Sequence, residues 1–278
     1  MFPVLARIAL GSCLLIGMVC GASSQNKNGV WDELDKLHWR FAGFGNVGQQ
    51  GTIGIPKGYG FLGSTDARRF LELQGNPPRD NHYVIAPTNL SWFGLFQFEA
   101  TGYVRDDEKI DPDDLLETLK ESNRNGQQER KRLGLPVLYL EGWYVAPHYD
   151  IQTKRLEWGT KLRTERNEIQ VNYLIKILGR KGVMDAMLVS DPQSLDSDVK
   201  EFKALLSGYS FNNGENYAEF RSGDKIAEYG LTALIVGGAA AAAAKSGAFK
   251  GIVKFVGIGV LAALGAVWGA AKSLFRRA

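Results

Sequence analysis

The stretch GWYVAPHYD at residues 142–150 gathers an imidazole, a carboxylate and three aromatic rings within nine positions. His148 and Asp150 stand two apart, and on a strand such residues project to the same face. That geometry would set a general base beside a carboxylate able to orient it, the beginning of a hydrolytic site. The plainer reading is structural: Asp150 caps a turn that Thr153 closes, and Trp143 stacks on Trp158 across neighbouring strands. No serine or cysteine in a nucleophile motif flanks the pair, so the structural reading leads. Trp143, Tyr149, Asn172 and Arg180 lie on the same strand-rich stretch and are candidate binding residues lining a groove.

Metal chemistry has little to build on. The chain holds three histidines, His38, His82 and His148, and none stands in an HxH or HExxH spacing. No metal and no cofactor is expected. Gly58 and Gly60 sit near Lys57, but the GK[ST] ending of a phosphate loop is missing, so a turn is expected there. Asp106, Asp107 and Glu108 read as a solvated turn, not a paired-carboxylate site. Asp224, Lys225 and Glu228 precede an apolar run and are spaced as helix neighbours. They mark a membrane-proximal boundary, with Tyr229 as an interfacial aromatic.

The elements that must position these groups follow from patterning. Residues 31–41 predict a short amphipathic helix. Residues 51–63, rich in Gly and Pro, predict a hairpin. Ser64 caps a helix that stops at Gly75, and HYVIAP and LSWFGLFQFEATGYV read as strands. Asp111, Pro112 and the acids behind them start a helix that ends in basic residues before Gly134, with Leu115, Leu116 and Leu119 facing inward. From Pro136 four strands with tight connections imply an antiparallel meander. A helix beginning at Asp196 or Ser197 covers it through Val199, Phe202, Leu205 and Leu206. The expected class is α+β, with helices covering an antiparallel sheet.

The two ends have a different character. Arg7, an apolar run to Val19 and small residues to Ser23 have the three parts of a secretory signal. Two runs without charge, 229–244 and 255–271, are sixteen and seventeen residues long. A spanning helix needs about 20 residues, which snorkelling by Lys245 and Lys254 would supply. The GxxxG pair Gly265 and Gly269 suits close helix packing in lipid. Together the runs predict a C-terminal hydrophobic helical hairpin, whose second run spans the membrane, re-enters it or lies along its inner surface. The organisation expected is a signal at 1–22, an α+β part at 23–134, the meander and its helix at 135–228, and membrane anchoring at 229–278.

Composition excludes several classes. Both cysteines, Cys13 and Cys20, lie in the signal segment, so the remaining chain has no disulfide, thiol nucleophile or cysteine-bound zinc. Setting aside Arg7 and the six basic residues after position 244 leaves 26 Lys and Arg against 30 Asp and Glu, a net −4. Scattered, mildly acidic charge argues against nucleic acid, and the basic tail suits anionic lipid headgroups.

Four stretches, GYVRDDEKID (102–111), GWYVAPHYDIQTKRLEWG (142–159), VNYLIKILGRKGV (171–183) and NYAEFRSGDKIAEYGL (216–231), resemble the bacterial membrane-anchored proteins of domain of unknown function 2167. The resemblance spans most of residues 45–245. It implies location and architecture and carries no activity. Residues and resemblance together lead to a non-enzymatic binding or scaffolding domain on the periplasmic side of a bacterial inner membrane. Its expected partners are membrane lipid and an envelope protein or glycan. The alternatives are an envelope hydrolase using His148 and Asp150, or an accessory subunit of a membrane complex in which the helices do the work.

Overall fold

The computed structural model describes residue 30 and residues 32–74, 76, 78–132 and 137–237. The signal segment, the second apolar run and most of the first lie outside these residues. Among the described residues ten strands make two antiparallel sheets. The large sheet has the order β3 (Tyr59–Leu62), β4 (His82–Pro87), β5 (Phe93–Glu99), β9 (Val183–Val189), β8 (Ile169–Leu178), β7 (Arg155–Thr164) and β6 (Leu138–Asp150). The small sheet joins β1 (Phe44–Val47), β2 (Gly51–Gly54) and β10 (Tyr209–Phe211).

Period-two alternation in the inner strands sends apolar side chains to both faces of the large sheet. On β8, Leu174 and Leu178 enter one core cluster, while Tyr173, Ile175 and Ile177 enter the other. The first cluster lies under helices α1 (Ser64–Leu73), α2 (Pro112–Arg132) and α4 (Leu231–Val236), through Phe70, Leu71, Leu115, Leu119, Leu231, Leu234 and Ile235. The second lies under α3 (Leu195–Leu206) and the small sheet, through Phe202, Leu205, Leu206, Ile53 and Tyr209. The result is α+β in three layers.

The meander and its covering helix form as expected, and β5 pairs β9 along its whole length, from Phe93 opposite Val189 to Glu99 opposite Val183. That pairing joins the two soluble parts expected at 23–134 and 135–228 into one sheet. Residues 51–63 do not form a hairpin: β2 pairs with β1 and β10, while β3 pairs with β4. Pro56 and Gly58, the latter at φ +90°, turn the chain from one sheet to the other. Ser64 does not cap α1; its hydroxyl accepts the Asn81 amide at 3.0 Å. Asp111 does cap α2, accepting the amides of Asp113 and Asp114 at 3.1 and 3.3 Å. Near the N-terminus, helix covers residues 32–35, shorter than the predicted segment.

Strand β6 is the open edge of the large sheet, and α2 closes part of it. The Asn123 side chain donates to Leu138 O at 2.9 Å and accepts from Leu140 N at 3.0 Å, doing the work of a further strand. Gln127 also donates to Leu138 O, at 2.6 Å.

The largest departure concerns the first apolar run. Leu231, Leu234 and Ile235 are buried in the helix-side core, and α4 ends at Gly237 with φ +123°. The start of the expected membrane hairpin is thus part of the domain. Among the described residues no helix is long and apolar enough to cross a membrane.

Candidate functional site

One end of the large sheet collects several charged and aromatic side chains that the fold brings together from distant parts of the chain. Three connections meet there: the β6–β7 turn at 151–154, the β8–β9 turn at 179–182, and the loop that leaves β5. Over them runs a strap, residues 212–230, that leads into α4. An isolated bridge pairs Tyr103 with Ile226: the Tyr103 amide donates to Lys225 O, and its carbonyl accepts from the Ala227 amide. Gly102, at φ +91°, lets the two backbones approach: a Cβ there would stand 2.7 Å from Lys225 O.

The strap is held by paired charges. Arg180 donates through Nε and Nη2 to the two Asp224 oxygens, both at 2.7 Å. Arg180 and the Arg221 amide hold the Asp224 carboxyl down at about 2, well below the usual range. Glu108 accepts the Thr232 amide at 2.9 Å and closes the start of α4. Two residues expected separately, Arg180 in a groove and Asp224 beside a membrane, are therefore partners. Residues 224–229 are not helical, so Asp224, Lys225 and Glu228 do not stand as helix neighbours; Lys225 and Glu228 are exposed.

Asp106, expected in a solvated turn, accepts both the Tyr149 hydroxyl and the Lys154 ammonium at 2.8 Å. Burial opposes its charge, but Lys154 and Tyr149 hold the carboxyl below its ordinary value. Burial, with Asp106 beside it, pushes the Tyr149 hydroxyl up. Lys154 also lies 4.9 Å above the Tyr217 ring, which stacks on Tyr103 at 4.4 Å.

Behind this cluster a polar row crosses the helix-side face of the sheet. His82 lies opposite Gln97, Gln97 opposite Asp185, and Asp185 opposite Lys176. The Lys176 ammonium, 7% exposed, meets both Asp185 oxygens at 2.5 and 2.6 Å and Glu99 at 3.2 Å. Burial opposes its charge, yet Asp185 and Glu99 raise its pKa, so it stays charged. Asp185, buried and facing a second carboxylate, is pushed up to about 7. Two acids share one cation, and Asp185, the more deeply buried of them, is the one that takes up a proton near neutral pH. The row was legible in principle: a lone charge interrupts IKI and another interrupts MDA, and the tight GRKG turn sets them opposite each other.

His148 and Asp150 do not form a pair. Asp150 accepts the amides of Gln152 and Thr153 at 2.8 and 3.2 Å and belongs to its turn, which lowers its pKa. His148 donates from Nδ1 to Ala146 O at 3.1 Å, and its Nε2 stands 3.7 Å from Glu157 on the opposite strand. Register shifts between Trp143 and His148 turn β6 there and leave Trp143 opposite Thr160, two residues short of Trp158. Glu157 is buried on the α3 side, bonded by the Tyr173 hydroxyl at 2.5 Å and Lys203 at 2.8 Å. The sequence places Glu157 across the turn from His148 but assigns it no role, since its partners come from three elements with no shared motif.

The expected groove also separates. Trp143 and Asn172 share a row through Thr160, with Trp143 Nε1 donating to Pro112 O at 3.0 Å. Arg180 lies in the turn beyond β8, whose run from Asn172 to Leu178 alone spans about 20 Å at 3.3 Å per residue. Among the described residues no group of three His, Cys, Asp or Glu is placed to hold a metal ion.

These features define an α+β domain whose concentrated polar groups are paired with one another where the chain leaves it. The chain belongs to the family described as Protein of unknown function (DUF2167), whose model matches residues 42–268. No curated protein matches it. Among solved structures it is similar to the solution structure of cyanobacterial PsbP (CyanoP) from Synechocystis sp. PCC 6803, at 11% identity and a TM-score of 0.36. That likeness covers 73% of this chain and 99% of the other.

Proposed function

We propose that the chain is a membrane-anchored envelope protein of the bacterial inner membrane, whose domain faces the periplasm as a non-enzymatic binding or scaffolding module. The observation that supports this reading is the exit of the chain. Leu231, Leu234 and Ile235 are domain core, Gly237 ends α4, and uncharged sequence continues without a polar linker. The chain therefore passes from domain core to apolar sequence with no polar spacer, which suits a scaffold better than a tethered enzyme. The hydrolase alternative rested on His148 and Asp150, and Asp150 is engaged by its own turn. The accessory-subunit alternative fits the same junction and differs only in where the partner binds.

Topology tests the proposal. Glu165, exposed in the β7–β8 turn, is replaced by cysteine in a chain carrying Cys13→Ser and Cys20→Ser. A membrane-impermeant maleimide should label it in intact spheroplasts. Labelling only after lysis would put the domain in the cytoplasm and overturn the proposal.

A further inference from the structure

We infer that the loop from α1 to β4 is a binding site for a small carboxylate that carries a hydroxyl or N–H group beside its carboxyl. Buried polar atoms in a folded protein almost always have partners, so a cluster without them marks a place that something else fills. Within the six residues from Gln74 to Arg79, Gln74 Oε1, Asn76 Oδ1 and Arg79 Nε are buried with no hydrogen-bond partner. Gln74 and Asn76 are 4% and 6% exposed. The other such atoms among the described residues, on Gln127, Arg155, Gln170 and Tyr209, are scattered along the chain.

The backbone gathers these groups. The amides of Gln74 and Asn76 both donate to Leu71 O, at 3.1 and 2.9 Å, so the two residues leave α1 at one point. The loop then folds back on the helix: Arg68 donates to Asp80 at 2.6 Å, and the Ser64 hydroxyl accepts the Asn81 amide. Arg79, next to Asp80, is thereby returned to the helix that Gln74 ends. His82 follows, 5% exposed and close enough to Arg79 for the two charges to oppose each other. Its Nδ1 donates to Asp80 O at 2.8 Å, which leaves Nε2 as an acceptor on a ring that burial keeps neutral.

The chemistry of these groups selects the ligand. Arg79 is half-buried and no acid pairs with it; Asp80, beside it in sequence, is held by Arg68. A guanidinium withdrawn from water without a counter-ion is costly, and a carboxylate matches its planar fork. With His82 neutral, the single positive charge suits a monoanion better than a phosphate. Gln74 Oε1, Asn76 Oδ1 and His82 Nε2 are acceptors, so the same ligand must also bring hydrogens to donate. An α-hydroxy or α-amino carboxylate has both halves on neighbouring atoms. Pro78 and Asp80, on either side of Arg79, are exposed, so the guanidinium can be reached from water.

The inference does not depend on which compartment holds the domain. It is tested on the full chain in detergent by calorimetric titration with lactate, alanine, acetate and inorganic phosphate. Lactate and alanine distinguish a hydroxy acid from an amino acid, and at least one of them should bind. Acetate, which cannot donate to the buried acceptors, should bind about tenfold more weakly or less. Arg79→Gln should abolish binding while leaving the Tm of the unliganded chain unchanged or raised, because an unpaired cation has been withdrawn from a half-buried place. A lower unliganded Tm in Arg79→Gln would mean that the protein itself holds the guanidinium, and would overturn the site. So would failure of both lactate and alanine to bind, or binding that survives Arg79→Gln. Acetate binding as tightly as lactate and alanine, or phosphate binding more tightly than either, would overturn the assigned ligand class.

Discussion

Lys176→Met removes the cation that Glu99 and Asp185 share on the helix-side face. Taking one partner from a buried ion pair leaves uncompensated charge and costs roughly 3–5 kcal/mol. In a domain of this size that lowers Tm by about 10 °C. The two carboxylates left behind can take up protons, so the loss should be larger at about pH 8 than at about pH 5.5. The parent chain carries the same signature more weakly. Asp185 titrates at about 7 in the folded state, against roughly 3.9 unfolded. The folded state thus holds a proton that the unfolded state releases, so this group adds stability at low pH and loses it as pH rises toward and through 7. At about 1.4 kcal/mol per pH unit, the change between about pH 5.5 and pH 7 is at most roughly 2 kcal/mol. Glu99 is 38% exposed, and solvent screening reduces the effect. Asp185→Asn mimics the protonated acid and should flatten this slope. Urea unfolding of the full chain in detergent, followed by circular dichroism at both pH values, reads all three quantities. An equal Lys176→Met loss at both pH values, or an undiminished slope in Asp185→Asn, would refute the assignment of a raised Asp185.

Asn123→Leu should destabilise the domain by about 1–3 kcal/mol, because the Leu140 amide loses its acceptor in a buried setting. It should also promote association seen by light scattering, since β6 becomes an open edge; an unchanged urea midpoint would rule out the edge-sealing role. Truncation after Gly237 should leave a folded domain, whereas truncation after Glu228 should not. The shorter fragment loses Leu231, Leu234 and Ile235, at roughly 1.5–3 kcal/mol each, a sum comparable to a whole domain's stability. Equal thermal transitions in the two fragments would disprove it.

The elements that were legible are those whose information is local. Asp111-Pro112 and the acids behind it specify a helix start through capping chemistry, and α2 begins there. Alternation along VNYLIKIL, with the short GRKG turn, specifies the β8–β9 hairpin, and its register follows. What could not be read is the meeting of segments far apart in the chain. The partnership of β5 with β9 spans most of a hundred residues, and nothing in FGLFQFE designates VMDAMLV as its neighbour. The same holds for Asp106 with Lys154 and Arg180 with Asp224, separated by 48 and 44 residues. Each acid looks solvated when judged by its neighbours in sequence, and only the fold supplies its cation. His148 and Asp150 failed in the opposite way. Their two-residue spacing was a valid local cue, but the pull of an Asx turn on Asp150 overrode it.

The same distinction explains why Leu231, Leu234 and Ile235 were expected in an anchoring segment and lie in the core of the domain. Hydropathy sees residues 229–244 as one unbroken apolar run, and an apolar run can be buried by protein as readily as by lipid. Leu231, Leu234 and Ile235 recur at helical spacing, which is a one-sided core stripe and not the all-round apolarity of a lipid-facing segment. Gly237, in a left-handed conformation, then ends the helix after six residues. Between it and Lys245 stand seven residues, about 10 Å if helical against a hydrocarbon thickness of about 30 Å. The first run therefore cannot serve both as the domain's last helix and as a spanning leg. Of the two runs, only 255–271 retains an apolar length close to that of a crossing.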